Sequence, residues 1–459
     1  MSEPLHRRVV ALALVLMLLT GCVAPRAYLG EPIAAATVDQ GYRGARIVPT
    51  RQNDDVLFMV SLSGGGMRAS AMAFGLFEQL ALDRVGSGTN PSRMLDEIDV
   101  ISAVSGGAVP AAYLTLYGDR IFKDFETKFL NRDFSVSVQR GLLFDPRNWF
   151  RMASSDYFRG DLYAEYFDRR LFRGATFADL SERRDRPFLI INATDVGLAS
   201  RFEFTQDSFD LICTDLSRFP LSRAIAASTL IPALMTPITI ENRAGRCGYG
   251  LPNWVSHTLE QNDHSSREYF RASVLKARSD AAQYRYLHLV DGALSDNLGA
   301  RALLDALVDG SPWMRWGEMP AARSRRKLVY VSVNAGDWKS TPVGLSRNPP
   351  DALQMLRLMG TVPMDRYSAE SRALLDEALK QHAKSENADL YHVEIELETL
   401  RRDPALTRLV ELPTSFTLAS ADVLALRCAT RRLLLESPDY QRLLRDLSGT
   451  PSGLASCNR

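Results

Sequence analysis

Ser105 stands at the end of the apolar run Ile98–Val104 and directly before Gly106 and Gly107, in the stretch DVISAVSGGA. A strand that breaks into a helix at such a point strains the serine backbone and lifts its hydroxyl out of the turn, where it can act as a nucleophile. The turn needs small residues two positions away on each side. Gly107 supplies one, and Ala103 stands where the pattern G-x-S-x-G would have glycine. A serine nucleophile also needs a proton acceptor. The chain has six histidines, none in a recognisable catalytic context, so a carboxylate is the better candidate. LVDGALSDNLG, residues 289–299, places Asp291 at the end of an apolar strand just before Gly292. A carboxylate at a strand's carboxyl end is where an α/β sheet delivers one to a neighbouring elbow. His288, three residues earlier, faces the opposite side of that strand and is expected to be structural. Asp296, beyond the turn, is the rival carboxylate.

SGGGMR, Ser63 to Arg68, is the third stretch of this kind. Gly64, Gly65 and Gly66 between a strand and a helix leave backbone N–H groups unobstructed at the positive end of a helix dipole. Such a loop suits a phosphate or the oxyanion of an attacked carbonyl. Its spacing is neither G-x-G-x-x-G nor the P-loop, and no lysine follows, so a nucleotide is not expected. Arg68 either orients an anionic head group or braces the loop, and bracing is the expectation.

The elements that must position these residues alternate. Apolar runs at Val56–Leu62, Ile98–Val104, Phe188–Ala193, Tyr286–Val290 and Leu328–Val333 read as strands, with helices such as Met67–Leu82 and Ala108–Tyr117 between them. That rhythm predicts an α/β fold with a mostly parallel sheet and helices on both faces. After about Ala335 the pattern turns mainly helical, with one strand near Tyr391–Leu397. Two stretches interrupt it. Thirteen of the aromatic residues fall between Phe122 and Phe172, and Arg243–Arg285 is a polar insertion. Residues 118–185 and 243–285 are therefore candidates for a cap over the site, and the aromatics are equally suited to packing a helical core.

Basic and acidic residues are nearly equal, 55 against 54. Residues 1–21 resemble a secretory signal: Arg7 and Arg8, an apolar run Val9–Leu19, then small residues. Removing them leaves the charges balanced, which gives no electrostatic case for nucleic acid. The sequence LLTGC resembles the lipobox of bacterial lipoproteins. The resemblance implies that Cys22 is lipidated and that the mature chain is exported and anchored to a bacterial membrane, the outer one favoured by Val23. Residues 22–55 then read as a tether. Cys213, Cys247, Cys428 and Cys457 fit no metal spacing. An exported compartment permits disulfides, and the nearer neighbours, Cys213 with Cys247 and Cys428 with Cys457, are the expected pairs; the alternative is four free buried thiols.

Taken in order, the glycine loop, the serine elbow some 40 residues on and Asp291-Gly292-Ala293 far downstream resemble the patatin-like phospholipases. NATDVGLASRFEF (192–204) looks like that family's central strand and turn. LSRAIAASTLIPALMTPI (221–238) looks like its active-site support, and LPTSFTL (412–418) like its C-terminal end. The resemblance implies a three-layer fold related to the α/β hydrolases, with a catalytic domain over 56–340 and the helical part 341–459 packed on it. It also implies a Ser105–Asp291 dyad, oxyanion donors at Gly64–Gly66, support from Arg68, Gly107 and Gly292, and no cofactor or metal. The expected activity is hydrolysis of carboxylic esters in lipids, with membrane lipids as both substrate and anchoring surface. The alternative is a non-catalytic lipid-binding or scaffolding lipoprotein on the same fold.

Overall fold

Residues Val56–Leu62, apolar except for Ser61, form strand β1, buried along its whole length. The computed structural model describes residues 28–453 and Cys457, apart from 38, 49–54, 87–90, 135, 137–140, 142–143, 154–156, 184, 231–234, 315–324, 337–345 and 450. The signal and Cys22 lie outside the described residues. The other strands of the main sheet are β2 (Val100–Val104), β3 (Phe188–Asp195), β4 (Ser200–Glu203), β5 (Ile238–Glu241), β6 (Tyr286–Asp291), β7 (Lys327–Asn334) and β8 (Asp389–Glu396).

These eight strands run in the order β8-β7-β1-β2-β3-β6-β5, with β4 returning on β3. Neighbours from β8 to β3 pair in parallel; β6 is antiparallel to both β3 and β5. β1, β2, β3 and β7 read as largely apolar runs because both of their faces are covered, whereas the edge strand β8 alternates. β4 and β5 alternate between buried and half-buried positions, which is why no apolar run announced them.

Flanking helices include α1 (Gly66–Leu82), α2 (Ser105–Tyr117), α3 (Arg159–Phe167), α4 (Leu221–Thr229), α5 (Asn253–Gln261), α6 (Arg267–Arg278), α7 (Arg301–Val308), α8 (Ala352–Ser385) and α9 (Ser420–Glu436). α9 lies against α1 so closely that a Cβ on Gly75 would come within 2.6 Å of the Arg427 carbonyl. The buried apolar residues form one continuous cluster.

The part of the expected tether that is described is not free chain. Tyr42, Ile47 and Val48 are buried, and the Tyr42 hydroxyl accepts the Leu189 N–H at 2.7 Å. Arg43 pairs with Asp207 and Asp210, and Glu31–Pro32 adds to Thr214–Asp215 as a short antiparallel pair. Apolar side chains within a polar stretch found a surface to cover. Cys213–Cys247 and Cys428–Cys457 are both bonded.

Candidate active site

Ser105 is the first residue of α2, directly after β2, and its φ is +50°. That left-handed value is uncommon for a residue with a side chain, and it is strain of the kind a nucleophile turn stores. The turn is held from below. The Ser105 N–H donates to Ser228 Oγ at 2.8 Å, and Ser228 Oγ in turn donates to the Asn192 carbonyl at 2.6 Å. Asn192 Nδ2 reaches Ser102 Oγ at 3.0 Å and the Ala103 carbonyl at 3.2 Å. Ala103 is a buried strand residue paired with Leu62 and Ile191, so its methyl group is accommodated in the sheet and does not crowd the turn. The tight positions are Gly106, where a Cβ would lie 2.0 Å from the Gly66 carbonyl oxygen, and Gly107, where it would lie 2.7 Å from that of Ser63.

Asp291 meets Ser105 although the two are 186 positions apart: Ser105 Oγ donates to Asp291 Oδ2 at 2.9 Å. Its route differs from the one expected. β6 is antiparallel, so the carboxyl end of β6 does not coincide with that of the parallel strands by direction alone. β3 continues past the last residue paired with β2, Asn192, and β6 pairs with that overhang, Asp291 opposite Ala193 and Leu289 opposite Asp195. The strand therefore runs back toward the elbow and ends beside it. Gly292 makes the stop possible, since a Cβ there would fall 2.4 Å from the Asn192 carbonyl. Asp291 Oδ1 accepts the Ala293 N–H at 2.9 Å.

Burial pushes the Asp291 carboxyl from 3.8 up to about 6, while the Ala293 N–H and the Ser105 hydroxyl pull it down. A carboxylate with such a value is mostly ionised at neutral pH, yet basic enough to take a proton. Asp296 is occupied elsewhere: it is buried and accepts the N–H groups of Ala300 and Arg301. His288 points outward from β6 and bonds Thr239 Oγ1 at 3.0 Å.

The glycine loop abuts the elbow. A Cβ on Gly64 would sit 3.4 Å from that of Ser105. One of the three expected donors is already engaged, because the Gly64 N–H donates to the Asn297 carbonyl at 2.9 Å. The N–H groups of Gly65 and Gly66 meet no acceptor among the described residues. Both glycines have positive φ, +136° and +61°. Ser63 anchors the loop to the end of β7, donating to the Gly64 carbonyl at 2.8 Å and accepting the Ala335 N–H at 2.9 Å.

Arg68 braces the loop from behind. It is 1% exposed and donates to the Leu412 carbonyl and Thr414 Oγ1, each at 2.8 Å, and to the Val410 carbonyl at 3.3 Å. The Met67 N–H adds a bond to the Ser415 carbonyl at 2.7 Å. Residues 410–415 are thereby strapped across the loop.

The aromatic stretch contributes packing beside the site. Phe129, Phe134, Phe167 and Phe416 form one buried cluster with Tyr163. Burial and the Asp291 charge both raise the Tyr163 phenol, against a hydrogen bond with Thr229 that lowers it. Phe144, Trp149 and Phe158 of the same stretch remain exposed. Among the described residues no group of His, Cys, Asp and Glu is placed to hold a metal ion.

The sequence marks Ser105, Asp291, the glycines and Arg68 by local pattern, and leaves Ser63, Asn192, Ser228 and Asn297 without such a mark. Ser228 and Asn192 lie in stretches already tied to the site by resemblance, but nothing local marks one serine of an Ala-Ser-rich helix as the partner of a distant N–H.

A sequence model described as patatin-like phospholipase matches residues 60–304, more than half the chain. The chain belongs to the patatin-like phospholipase family. No curated protein matches its sequence. Among solved structures it is similar to human GIVD cytosolic phospholipase A2, with 12% identity, a TM-score of 0.42, and coverage of 89% of this chain and 65% of that one. The same protein in complex with methyl gamma-linolenyl fluorophosphonate inhibitor and terbium chloride gives 13% identity, a TM-score of 0.39 and coverages of 89% and 62%. This chain thus spans a little under two thirds of the length of those structures.

Proposed function

We propose that this patatin-like phospholipase hydrolyses carboxylic esters of membrane lipids, in the manner of a phospholipase A or lipase, through a Ser105–Asp291 dyad. The observation that carries the reading is the 2.9 Å hydrogen bond from Ser105 Oγ to Asp291 Oδ2 at the tip of a strained turn. Ser105 Oγ attacks the ester carbonyl carbon while its proton passes to Asp291 Oδ2. The oxyanion takes hydrogen bonds from the N–H groups of Gly65 and Gly66. Collapse breaks the ester C–O bond, and the leaving alkoxide takes the proton from Asp291, giving an acyl-serine. Water then attacks the acyl carbon, gives its proton to Asp291 and frees the fatty acid, and the proton returns to Ser105.

The same reading places the enzyme at its substrate. Acyl chains on Cys22 hold it to a bacterial membrane, and the exposed Phe144, Trp149 and Phe158 suit a lipid–water interface. No helix among the described residues is long and apolar enough to cross a membrane. Labelled palmitate should enter the wild-type chain in bacteria and not the Cys22→Ser variant.

Fatty-acid release from mixed phospholipid micelles, without added calcium, tests the chemistry. The fragment starting at Val23 should release fatty acid, and Ser105→Ala and Asp291→Asn should each lose at least about 10³-fold in rate. Release by wild type and both variants at one rate would leave the non-catalytic lipid-binding reading in place.

A further inference from the structure

A cavity of about 690 Å³ lies apart from Ser105, and none of the glycine loop, the elbow or Asp291 lines it. Its volume is ordinary for a small-ligand site. Trp254 of α5 and Phe270 of α6 contribute to its walls, with Trp313, with α7 and with Tyr367 of α8. Most of its charges are matched. Arg267 and Arg201 pair with Asp305, and Arg271 pairs with Asp309.

Two guanidinium groups are not fully matched. Arg301 donates from Nε to Ser371 Oγ at 2.7 Å and lies over the Tyr367 ring, with Cζ 3.5 Å from the centroid. Among the described residues no acceptor reaches its Nη atoms. Arg278, 4% exposed, reaches Asp195 at 3.3 Å and Ser200 Oγ at 3.1 Å through Nη2. Its buried Nε has no hydrogen-bond partner among the described residues. Buried donors and partly desolvated cations are stabilised when an anion completes them.

We propose that this cavity is a second, non-catalytic site that binds an anionic amphiphile. A carboxylate or phosphate takes the open Nη donors of Arg301, and an apolar chain lies against Trp254, Phe270 and Trp313. The site also touches the dyad indirectly. Ser295 lines the cavity, and its Oγ is 2.8 Å from Thr194 Oγ1, which donates to the Asp291 carbonyl at 2.8 Å. Such an anion has two sources, a released fatty acid or a phospholipid head group.

Titration calorimetry on the purified protein, with dodecanoate, dodecyl phosphate and dodecyltrimethylammonium below their micellar concentrations, tests the proposal. Both anions should bind and the cation should not. Tighter dodecanoate would identify the fatty acid as the source, and tighter dodecyl phosphate the head group. Arg301→Gln should weaken both anions by about 10-fold or more, Arg301→Lys by less, and Trp254→Ala should weaken them with Arg301 intact. Arg301→Gln should keep the wild-type melting temperature and its rate on a short soluble ester. Unchanged anion affinity in Arg301→Gln and Trp254→Ala, or equal binding of the cation, would overturn the site.

Discussion

At the scale of single residues, the proposed base Asp291 joins the proposed chemistry to stability. Its carboxyl is pushed up to about 6 by burial, so the folded state holds a proton between pH 3.8 and 6 that the unfolded state has released. Stability therefore falls as pH rises through that window and is level above it. At pH 7 the ionised, buried carboxylate is a liability on the order of 3 kcal/mol. Asp291→Asn keeps an acceptor for the Ala293 N–H and sheds the charge. Urea denaturation at pH 7 should show the Asp291→Asn variant to be more stable than wild type, by up to that amount. The kcat/KM of wild type should rise along an acid limb with an apparent pKa near 6; a profile flat from pH 4.5 to 7.5 would remove Asp291 as the base. Ser105, Asp291 and the glycines were legible because each sits at an abrupt local change from apolar run to small residues. Ser228 and Asn297 were not, because their part is played toward residues far away in the chain.

At the scale of elements, the glycine loop is shaped by what lies behind it. β1 and α1 place Gly64–Gly66 next to the elbow, while residues 410–415 and the Asn297 turn set which N–H groups remain open. Arg68 holds the strap through charge-assisted bonds to buried acceptors. Arg68→Met should destabilise the protein by a few kcal/mol, because the carbonyls of 410–412 lose their donor, and limited proteolysis should cut near residue 412 sooner than in wild type. Equal cleavage rates would show that the strap is held by packing alone. The strands of the parallel half were readable to within a residue or two, the inner ones as apolar runs buried on both faces and the edge strand β8 as an alternation. The direction of β6 was not readable, since an apolar run carries no sign of which way it pairs.

At the scale of the whole molecule, the closing of long loops contributes alongside the core. Cys213–Cys247 and Cys428–Cys457 span 34 and 29 residues. Each removes unfolded-chain entropy worth about 3–4 kcal/mol in the loop-closure picture. The paired replacement Cys213→Ser with Cys247→Ser should lower the urea midpoint of the fragment starting at Val23, and reductant should lower wild type further than it lowers that variant. A midpoint indifferent to reductant would mean that neither bond constrains the chain. The segment 28–48, polar enough to suggest a tether, is instead held to the body by Tyr42 and Arg43.

By itself the sequence determined the α/β rhythm and marked Ser105, Asp291 and the glycine loop, because each is written in neighbouring residues as a change of periodicity or of side-chain size. Only the tertiary structure decided how they meet. The bond between Ser105 and Asp291 spans 186 residues and the one between Ser105 and Ser228 spans 123; the first depends on a strand returning antiparallel along an overhang, the second on α4 meeting the Asn192 carbonyl of β3. The capture of the Gly64 N–H by Asn297 and the open donors of Arg301 are of the same kind. They follow from which groups packing leaves within 3 Å of one another, and no local pattern records that distance.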